Sequence, residues 1–334
     1  MTDLERAKEL LGAIERGDSA AALALYSERI RSYASRGWSV EDYIRDVWMA
    51  GLDQLAGAPR QVVGEDAVSP TAVRFTIEGP LGRAYATFSF EEDGVGGSSL
   101  ERSIFEGIGN LVINCPWDRH DEVVAFYGAL FGTDRWRIPR IVFDEGLDHS
   151  PGWNDPDRPQ QLHVEAEVRD LGEASELLVG RGATLLEERE GQRTYADPLG
   201  HALTLIGADV PADGPVGRLA RIVIDCPAPV ELATFYQELL KMPERREESA
   251  ERVVIADSDG RPELAFRRLD PYVSPRWPDP AFPAQMHFDL KFYDARAAIA
   301  LAMRLGAKPL PKGGSCPVYA DPADHPFCLC MHGQ

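Results

Sequence analysis

Trp153-Asn-Asp-Pro-Asp-Arg-Pro-Gln-Gln-Leu-His163 and Trp277-Pro-Asp-Pro-Ala-Phe-Pro-Ala-Gln-Met-His287 are one phrase written twice. In each, a tryptophan, an Asp-Pro turn and a second proline lead into a histidine on a run that alternates apolar and polar residues, the pattern of a half-buried strand. Working outward, Tyr195-Ala-Asp-Pro is echoed by Tyr319-Ala-Asp-Pro, Phe126-Tyr-Gly-Ala-Leu by Phe235-Tyr-Gln-Glu-Leu, and Asn114-Cys-Pro by Asp225-Cys-Pro. Four matched blocks in one order define an internal repeat. Pro211-Ala-Asp-Gly-Pro215 reads as the linker between the copies.

The offsets between blocks are unequal. Cys115 and Cys226 are 111 residues apart and Phe126 and Phe235 are 109 apart, whereas Trp153/Trp277 and Tyr195/Tyr319 are both 124 apart. The first copy is therefore short between its first helix and Trp153. There the second copy carries Arg252-Val-Val-Ile-Ala, the turn Asp257-Ser-Asp-Gly260 and Glu263-Leu-Ala-Phe-Arg, a β-hairpin, while the first keeps only Arg140-Ile-Val-Phe-Asp as a clear strand. A shorter sheet is expected in the first copy.

Each copy reads as two β-α-β-β-β modules. In the second, Leu219–Asp225 is a strand, Val230–Leu240 a helix, then come the hairpin, a strand over His287–Lys291, a helix over Ala295–Leu305 and closing strands near Val318 and Phe327. The Cys-Pro after the first strand, the Phe-Tyr in the helix, the Trp-x-Asp-Pro before a His-bearing strand and the terminal Asp-Pro resemble the actinobacterial-type glyoxalase-like subgroup of the vicinal oxygen chelate superfamily, over roughly residues 108–332. The resemblance implies repeats that wrap a sheet into a cleft. Its metal-dependent members place a His on the first strand, a His or Gln on the fifth and a Glu on the eighth, leaving positions open for a substrate's vicinal oxygens.

Carried onto this chain, those positions are Asn110, His163 and Thr204 in the first copy and Arg221, His287 and Cys328 in the second. If the copies exchange strands, the sets become Asn110 with His287 and Cys328, and Arg221 with His163 and Thr204. No set has a carboxylate at the last position, and a permanently cationic Arg221 cannot ligate a metal. No metal and no cofactor are expected. Cys328, Cys330 and His332 alternate on one strand face, a soft zinc-type pattern, but buried thiols more commonly act as small hydrophobes.

The first 107 residues read as helices followed by an antiparallel sheet. Leu4, Ala7, Leu11 and Ile14 recur at helical spacing, Ser19 opens a helix through Tyr26 and Ile30, and Ser39 with Asp42 resembles a capping box ahead of Tyr43, Val47 and Leu52. Ala72–Ile77 and Ala84–Phe90 alternate as strands around the turn Glu78–Gly82. This element order, with the phrase Glu15-Arg-Gly-Asp18, resembles the cone-shaped nuclear-transport-factor-like and polyketide-cyclase-like folds. The segment has no His, so it is expected to be a non-catalytic accessory domain. The fold class expected is α+β: N-terminal helices plus a curved antiparallel sheet (1–107), then two glyoxalase-like domains of paired βαβββ modules (108–210, hairpin-deleted, and 218–334).

Composition sets bounds. With 334 residues, 44% of them hydrophobic, the chain can build two or three cores. A formal net charge of −19 argues against nucleic-acid binding, which needs clustered Lys and Arg. No apolar run reaches about 18 residues, so no membrane partner is expected. The polar start Met1-Thr-Asp-Leu-Glu lacks a basic, apolar leader, and a cytoplasmic location is expected. Five cysteines, an odd number, fit reduced thiols better than a disulfide framework.

The candidate site is drawn from the repeat. His287 and Asp289 share a strand face and can act as an acid–base pair, with Arg221 as an oxyanion partner. Trp277, Arg276, Cys328, Asn110, His163, Glu165 and Trp153 are candidate ligand contacts, the tryptophans as stacking faces. Asp197 and Asp321 begin Asp-Pro turns and are expected to be structural. The main site is expected in the second copy. The function expected is a metal-independent small-molecule-binding protein of drug resistance or biosynthesis. The alternative is a lyase, isomerase or cyclase acting on a vicinal-oxygen or polyketide-like substrate by His/Asp acid–base catalysis. A homodimer is compatible with this reading, as is a purely structural scaffold.

Overall fold

The computed structural model describes residues 1–34, 43–80, 82–102, 104–132, 140–145, 161–211, 214–257, 262–277, 279, 285–311 and 316–331. Met1–Glu106 with Asp257–Gly260 forms one compact unit, and Gly107–Ala256 with Arg261–Gln334 forms the other.

In the first unit, helix α1 (Asp3–Glu15) starts at Thr2 with a capping box: the Thr2 hydroxyl accepts from Glu5 N, and the Glu5 carboxylate accepts from Thr2 N at 2.7 Å. Ala7, Leu10, Leu11 and Ile14 make its buried stripe. The single helix expected from Ser19 through Ile30 is two, α2 (Ser19–Leu25) and α3 (Glu28–Ala34). The chain is extended at Tyr26, whose ring is buried, and Ser27 N donates to Val95 O at 2.9 Å, so tertiary packing overrides helical propensity there. A π-helical segment (Tyr43–Met49) continues into α4 (Ala50–Leu55); the Ser39/Asp42 capping pair lies outside the described residues. Strands β1 (Gln61–Ser69), β2 (Ala72–Gly79), β3 (Gly82–Glu91) and β4 (Gly94–Arg102) form an antiparallel sheet in sequence order. Trp48 stacks on Phe88 of β3 at 5.3 Å in the core between helices and sheet.

The second unit contains four modules. The first is β5 (Phe105–Cys115), α5 (His120–Phe131) and β6 (Arg140–Glu145). The second is β7 (Leu162–Val168), α6 (Leu171–Val179), β8 (Thr184–Arg189), β9 (Gln192–Ala196) and β10 (Ala202–Gly207). The third is β11 (Gly217–Cys226), α7 (Pro229–Leu240), β12 (Glu244–Glu248), β13 (Arg252–Ala256) and β14 (Glu263–Arg268). The fourth is β15 (Met286–Phe292), α8 (Ala295–Leu305), β16 (Lys308–Pro309), β17 (Val318–Ala320) and β18 (Pro326–Met331).

These modules do not pair within their copies. An eight-stranded sheet runs β12-β13-β14-β11-β7-β10-β9-β8, joining the third module to the second. A six-stranded sheet runs β16-β17-β18-β15-β5-β6, joining the fourth to the first. The two inner modules are sequence neighbours, and consecutive elements tend to lie side by side; the outer two are left to pair with each other.

Among the described residues, one strand lies beyond β5 where three lie beyond β11. β6 lies parallel to β5 with Arg140 opposite Asn110, as β14 lies parallel to β11 with Glu263 opposite Arg221. β6 is thus the counterpart of β14, and among the described residues β12 and β13 have no counterpart beside it.

The Asp-Pro turns have a structural task, repeated in both copies. Tyr127 of α5 donates to Asp197 Oδ2 at 3.1 Å, while Asp197 Oδ1 accepts from the backbone N–H of Leu199 and His201. Tyr236 of α7 donates to Asp321 Oδ2 at 3.0 Å, and Asp321 Oδ1 accepts from Ala323 and His325. Each aspartate also faces its histidine's Nδ1 at 3.1 Å. Both carboxylates are fully buried, so these bonds satisfy groups that would otherwise be costly. Burial alone would lower the His325 pKa, but Asp321 and then Asp225 override it and raise it above its ordinary value.

One cysteine expectation is corrected: Cys316 and Cys330 form a disulfide. β17 and β18 pair antiparallel with Val318 opposite Cys328. Stepping two residues outward brings Cys316 opposite Cys330, with Cα atoms 5.3 Å apart, inside the range a disulfide spans. Among the described residues no helix is long and apolar enough to cross a membrane.

Candidate functional site

Strand alternation builds the site on the six-stranded sheet. On β5, Leu111, Ile113 and Cys115 are buried, and Asn110 lies on the opposite face. On β15, Met286, Phe288, Leu290 and Phe292 are buried; His287, Asp289 and Lys291 alternate with them and are half-buried. On β18, Phe327 and Leu329 are buried, with Cys328 on the other face. The apolar face carries the helices: Tyr236 of α7 packs on Phe288, and Phe235 on Phe327.

On the polar face the groups converge. Asn110 Nδ2 donates to Asp289 Oδ2 at 2.7 Å. His287 Nε2 lies 3.8 Å from Asp289 Oδ1, too far for a hydrogen bond but close enough for charge coupling. Cys328 pairs in register with Asp289. Ligand atoms of His287, Asp289 and Cys328 all lie within 4.8 Å of one another, a cluster able to hold a metal ion. Lys291 joins the same face, and its stem crosses Gly109 so closely that a Cβ there would come within 2.3 Å of it. Lys291 was not singled out in the sequence, although it continues the period-two pattern of His287 and Asp289.

The equivalent face of the eight-stranded sheet is arranged differently. Arg221 donates to Glu165 at 2.8 Å and to Glu263 at 2.6 Å. Glu165 also takes Arg252 at 3.2 Å, and Glu263 takes Arg246 at 2.8 Å. Arg267 makes two 2.7 Å hydrogen bonds to the fully buried carboxylate of Asp225. Burial would lower the Arg221 pKa, but Glu165 and Glu263 more than offset this, so it stays a cation locked between carboxylates. His163 is buried, and burial, then Arg267 and Arg252, push it well below its ordinary value; it is neutral. Thr204 bonds Thr194 at 2.9 Å.

The grouping expected from the sequence is therefore divided. Arg221 does not join His287 and Asp289: module exchange puts it with Glu165 and His163, while Asn110 joins His287, Asp289 and Cys328. The main set is not confined to the second copy, since Asn110 comes from the first. Trp277 is half-buried and its Nε1 donates to Pro311 O at 3.4 Å, which ties its loop down; Arg276 is exposed. Trp153 and His332 lie outside the described residues. Glu263, Arg252, Arg267 and Asp225 were missed as partners, because only strand register reveals which charges face each other.

Two stretches, residues 110–206 and 221–330, match the model of the glyoxalase-like domain family. Together they span more than half of the chain, and the chain belongs to that family. Among solved structures, a mutant of glyoxalase I from Zea mays is 15% identical, covering 67% of this chain and 93% of that one, with a TM-score of 0.45. A glyoxalase-related enzyme from Fulvimarina pelagi is 17% identical over 34% of this chain and 88% of its own, with a TM-score of 0.26. The fosfomycin resistance protein FosX from Mesorhizobium loti is 14% identical over 34% and 89%, with a TM-score of 0.25. At these values the three add nothing to the family assignment. No curated protein matches the chain.

Proposed function

We propose that this chain binds a small polar molecule on the polar face of the six-stranded sheet, with Asn110, His287, Asp289 and Cys328 as its contact groups, in a role of drug resistance or biosynthesis. One observation carries the reading: these four side chains converge from three strands of the first and last modules, whereas on the other sheet the equivalents of Asn110 and Asp289, Arg221 and Glu165, are locked in an arginine–carboxylate network. A ligand entering the second face must break charge-assisted hydrogen bonds, the strong class. Residues 1–107 are read as an accessory domain of the nuclear-transport-factor-like or polyketide-cyclase-like type. The partner is a small molecule rather than nucleic acid or membrane, and a cytoplasmic location and a homodimer belong to the same proposal.

A second reading has its own observation. His287 sits 3.8 Å from Asp289, an arrangement that suits proton transfer in a lyase, isomerase or cyclase. A thermal-shift screen of anionic and enolic compounds with vicinal oxygens, on wild type and variants, tests both. Stabilisation lost in Asn110→Ala and Asp289→Asn but kept in Arg221→Ala and His163→Ala supports the site. The reverse pattern moves it to the eight-stranded sheet. Turnover of a bound compound that disappears in His287→Ala favours the enzyme reading.

A further inference from the structure

We propose that Cys316, Cys328 and Cys330 form a thiol–disulfide exchange centre, in which the Cys328 thiol displaces Cys330 from Cys316 and so moves the disulfide onto the proposed binding face. The cysteines alone carry the exchange; its effect on binding rests on the ligand reading of that face. Cys316 is bonded to Cys330, and Cys328 lies outside that bond. Cys328 and Cys330 are two residues apart on β18 and so share a face. Val318 stands opposite Cys328, which puts Cys316 on that face as well. The corner does not need sulfur to form. Cys316, Val318, Cys328 and Cys330 lie 124 positions beyond Gln192, Thr194, Thr204 and Ile206. There β9 and β10 pair Gln192 with Ile206 and Thr194 with Thr204, with a 2.9 Å hydrogen bond between the two threonine hydroxyls. Three cysteines at a corner that folds in the other copy with none point to chemistry rather than to support.

Register decides which bond can move. Cys316 and Cys330 have Cα atoms 5.3 Å apart. Cys328 is the diagonal neighbour of Cys316, at about 7–8 Å between Cα atoms. A disulfide spans Cα separations up to about 6.8 Å, so the new bond asks for about 1 Å of movement. That movement falls on Cys316 and Pro317, which precede β17, and leaves the ladder from Val318 to Ala320 in place. It strains one backbone bond, from Leu329 N to Pro317 O at 2.9 Å. Attack on the Cys330 sulfur is the poorer path. Residues two apart on one strand have parallel side chains about 6.6–6.8 Å apart, whereas bonded cysteines need Cβ atoms at about 3.5–4.5 Å.

The step conserves its atoms and electrons. Cys328 loses a proton, and the thiolate attacks the Cys316 sulfur. The Cys316–Cys328 bond forms, the Cys316–Cys330 bond breaks, and Cys330 leaves as a thiolate that takes up a proton. One thiol and one disulfide enter and one of each emerges, so no oxidant or reductant is consumed. An ordinary thiol, with a pKa of about 8.5, is mostly protonated at neutral pH, and a neighbouring base speeds the attack. His287 offers that base: a ring nitrogen and the Cys328 sulfur lie within 4.8 Å of each other, a gap that one water can bridge. A ligand that touches the Cys328 thiol binds only the Cys316–Cys330 isomer, so exchange sets the population able to bind.

Differential alkylation of the full-length wild type, with no small molecule added, tests the exchange. The protein is held at mildly alkaline pH, quenched in acid and labelled with N-ethylmaleimide in denaturant. It is then reduced, labelled with a heavier maleimide and cut before Asp324, and fragmentation assigns each label to Cys328 or Cys330. The first label should appear on both residues. In Cys328→Ser, Cys330 should carry only the second label, which separates exchange from simple opening of the disulfide. His287→Ala should slow the appearance of the first label on Cys330 at neutral pH, and the difference should vanish at high pH, where thiols ionise unaided. Cys330→Ser in a glutathione redox buffer should bond Cys316 to Cys328. A first label confined to Cys328 in the wild type, a first label on Cys330 in Cys328→Ser, or no Cys316–Cys328 bond in Cys330→Ser overturns the inference. An unchanged rate in His287→Ala removes that residue as the base. Exchange with no thermal shift from any compound leaves this centre standing without the ligand site, and thermal shifts without exchange leave the ligand site standing without it.

Discussion

Arg267→Met should expose how much the eight-stranded sheet depends on its internal charges. Asp225 has no solvent exposure and takes two 2.7 Å hydrogen bonds from the Arg267 guanidinium. Removing one partner of a buried ion pair costs about 3–5 kcal/mol, because the remaining charge is left uncompensated. Arg267 is 33% exposed, so water reaches part of the vacated space, and the lower end, about 3 kcal/mol, is expected. With a urea m-value of about 2–3 kcal/mol per molar, the unfolding midpoint should fall by about 1–1.5 M. The loss should also depend on pH. Burial already pushes the Asp225 carboxyl above its usual range, and Arg267 is the first group pulling it back. Without Arg267 the folded-state pKa rises further, so the folded state binds a proton that the unfolded state does not. Stability then increases as pH falls from neutrality toward the ordinary carboxylate pKa of about 4, and the deficit shrinks. Adding Asp225→Asn to Arg267→Met should restore stability and remove that slope. A deficit under about 1 kcal/mol, or one that stays constant on acidification, would refute the reasoning.

Tyr236→Phe should cost about 1.5–3 kcal/mol by calorimetry, as for a hydrogen bond to a charged group, and Tyr127→Phe a similar amount; very unequal costs would contradict the repeated latch. His325 has a folded-state pKa above its unfolded value, so its contribution is complete below the ordinary histidine range and is lost as pH rises through the folded value. The melting advantage of wild type over His325→Gln should accordingly narrow with increasing pH, and a constant difference across neutral and alkaline pH counts against the assignment. Thiol titration in denaturant should find three reactive cysteines without reductant and five with it, since Cys316 and Cys330 are bonded; five in both conditions removes the disulfide. Gly109→Ala should destabilise the six-stranded sheet or displace Lys291, because the added carbon meets its stem at 2.3 Å. Unchanged melting with an unmoved Lys291 would show that contact to be slack.

Much of this fold is legible because the repeat carries its own signals. The offset mismatch falls between the first helix and Trp153, and among the described residues β6 stands where β14 does with no counterpart of β12 or β13 beside it. The helix expected over Ala295–Leu305 is present with those bounds, and the structure adds Asp294 as its cap. Less legible were β1 and β4 of the first unit, where Gly64 and the Gly94-Val-Gly-Gly stretch dilute the alternation that marks β2 and β3. For the candidate site, the sequence names residues but not which of them stand together. Nothing local to Arg221 reveals whether its neighbour is β7 or β15, because pairing between modules is a long-range choice that both sequences satisfy. Arg221 was therefore assigned to His287 when register gives it to Glu165, and the disulfide of Cys316 and Cys330 depended on the pairing of β17 with β18, which composition does not encode.

Exchange of modules has a consequence for the order in which the molecule can be made. The pairings are nested, with the second and third modules inside the first and fourth. Every strand of the eight-stranded sheet has been synthesised once residue 268 has emerged, while β5 must wait for β15 and β18, whose last described residue is Met331. At about 5–20 residues per second, this is a delay of roughly 3–12 seconds. Through it β5 and β6, both rich in β-branched and apolar residues, lack their sheet partner, as an unpaired strand edge open to other chains. The charge-locked face is complete before the face that carries Asn110, His287, Asp289 and Cys328 can exist. Burdens on folding in the cell, such as crowding by nascent chains or loss of a chaperone, should therefore deplete the six-stranded sheet first and leave the inner sheet formed.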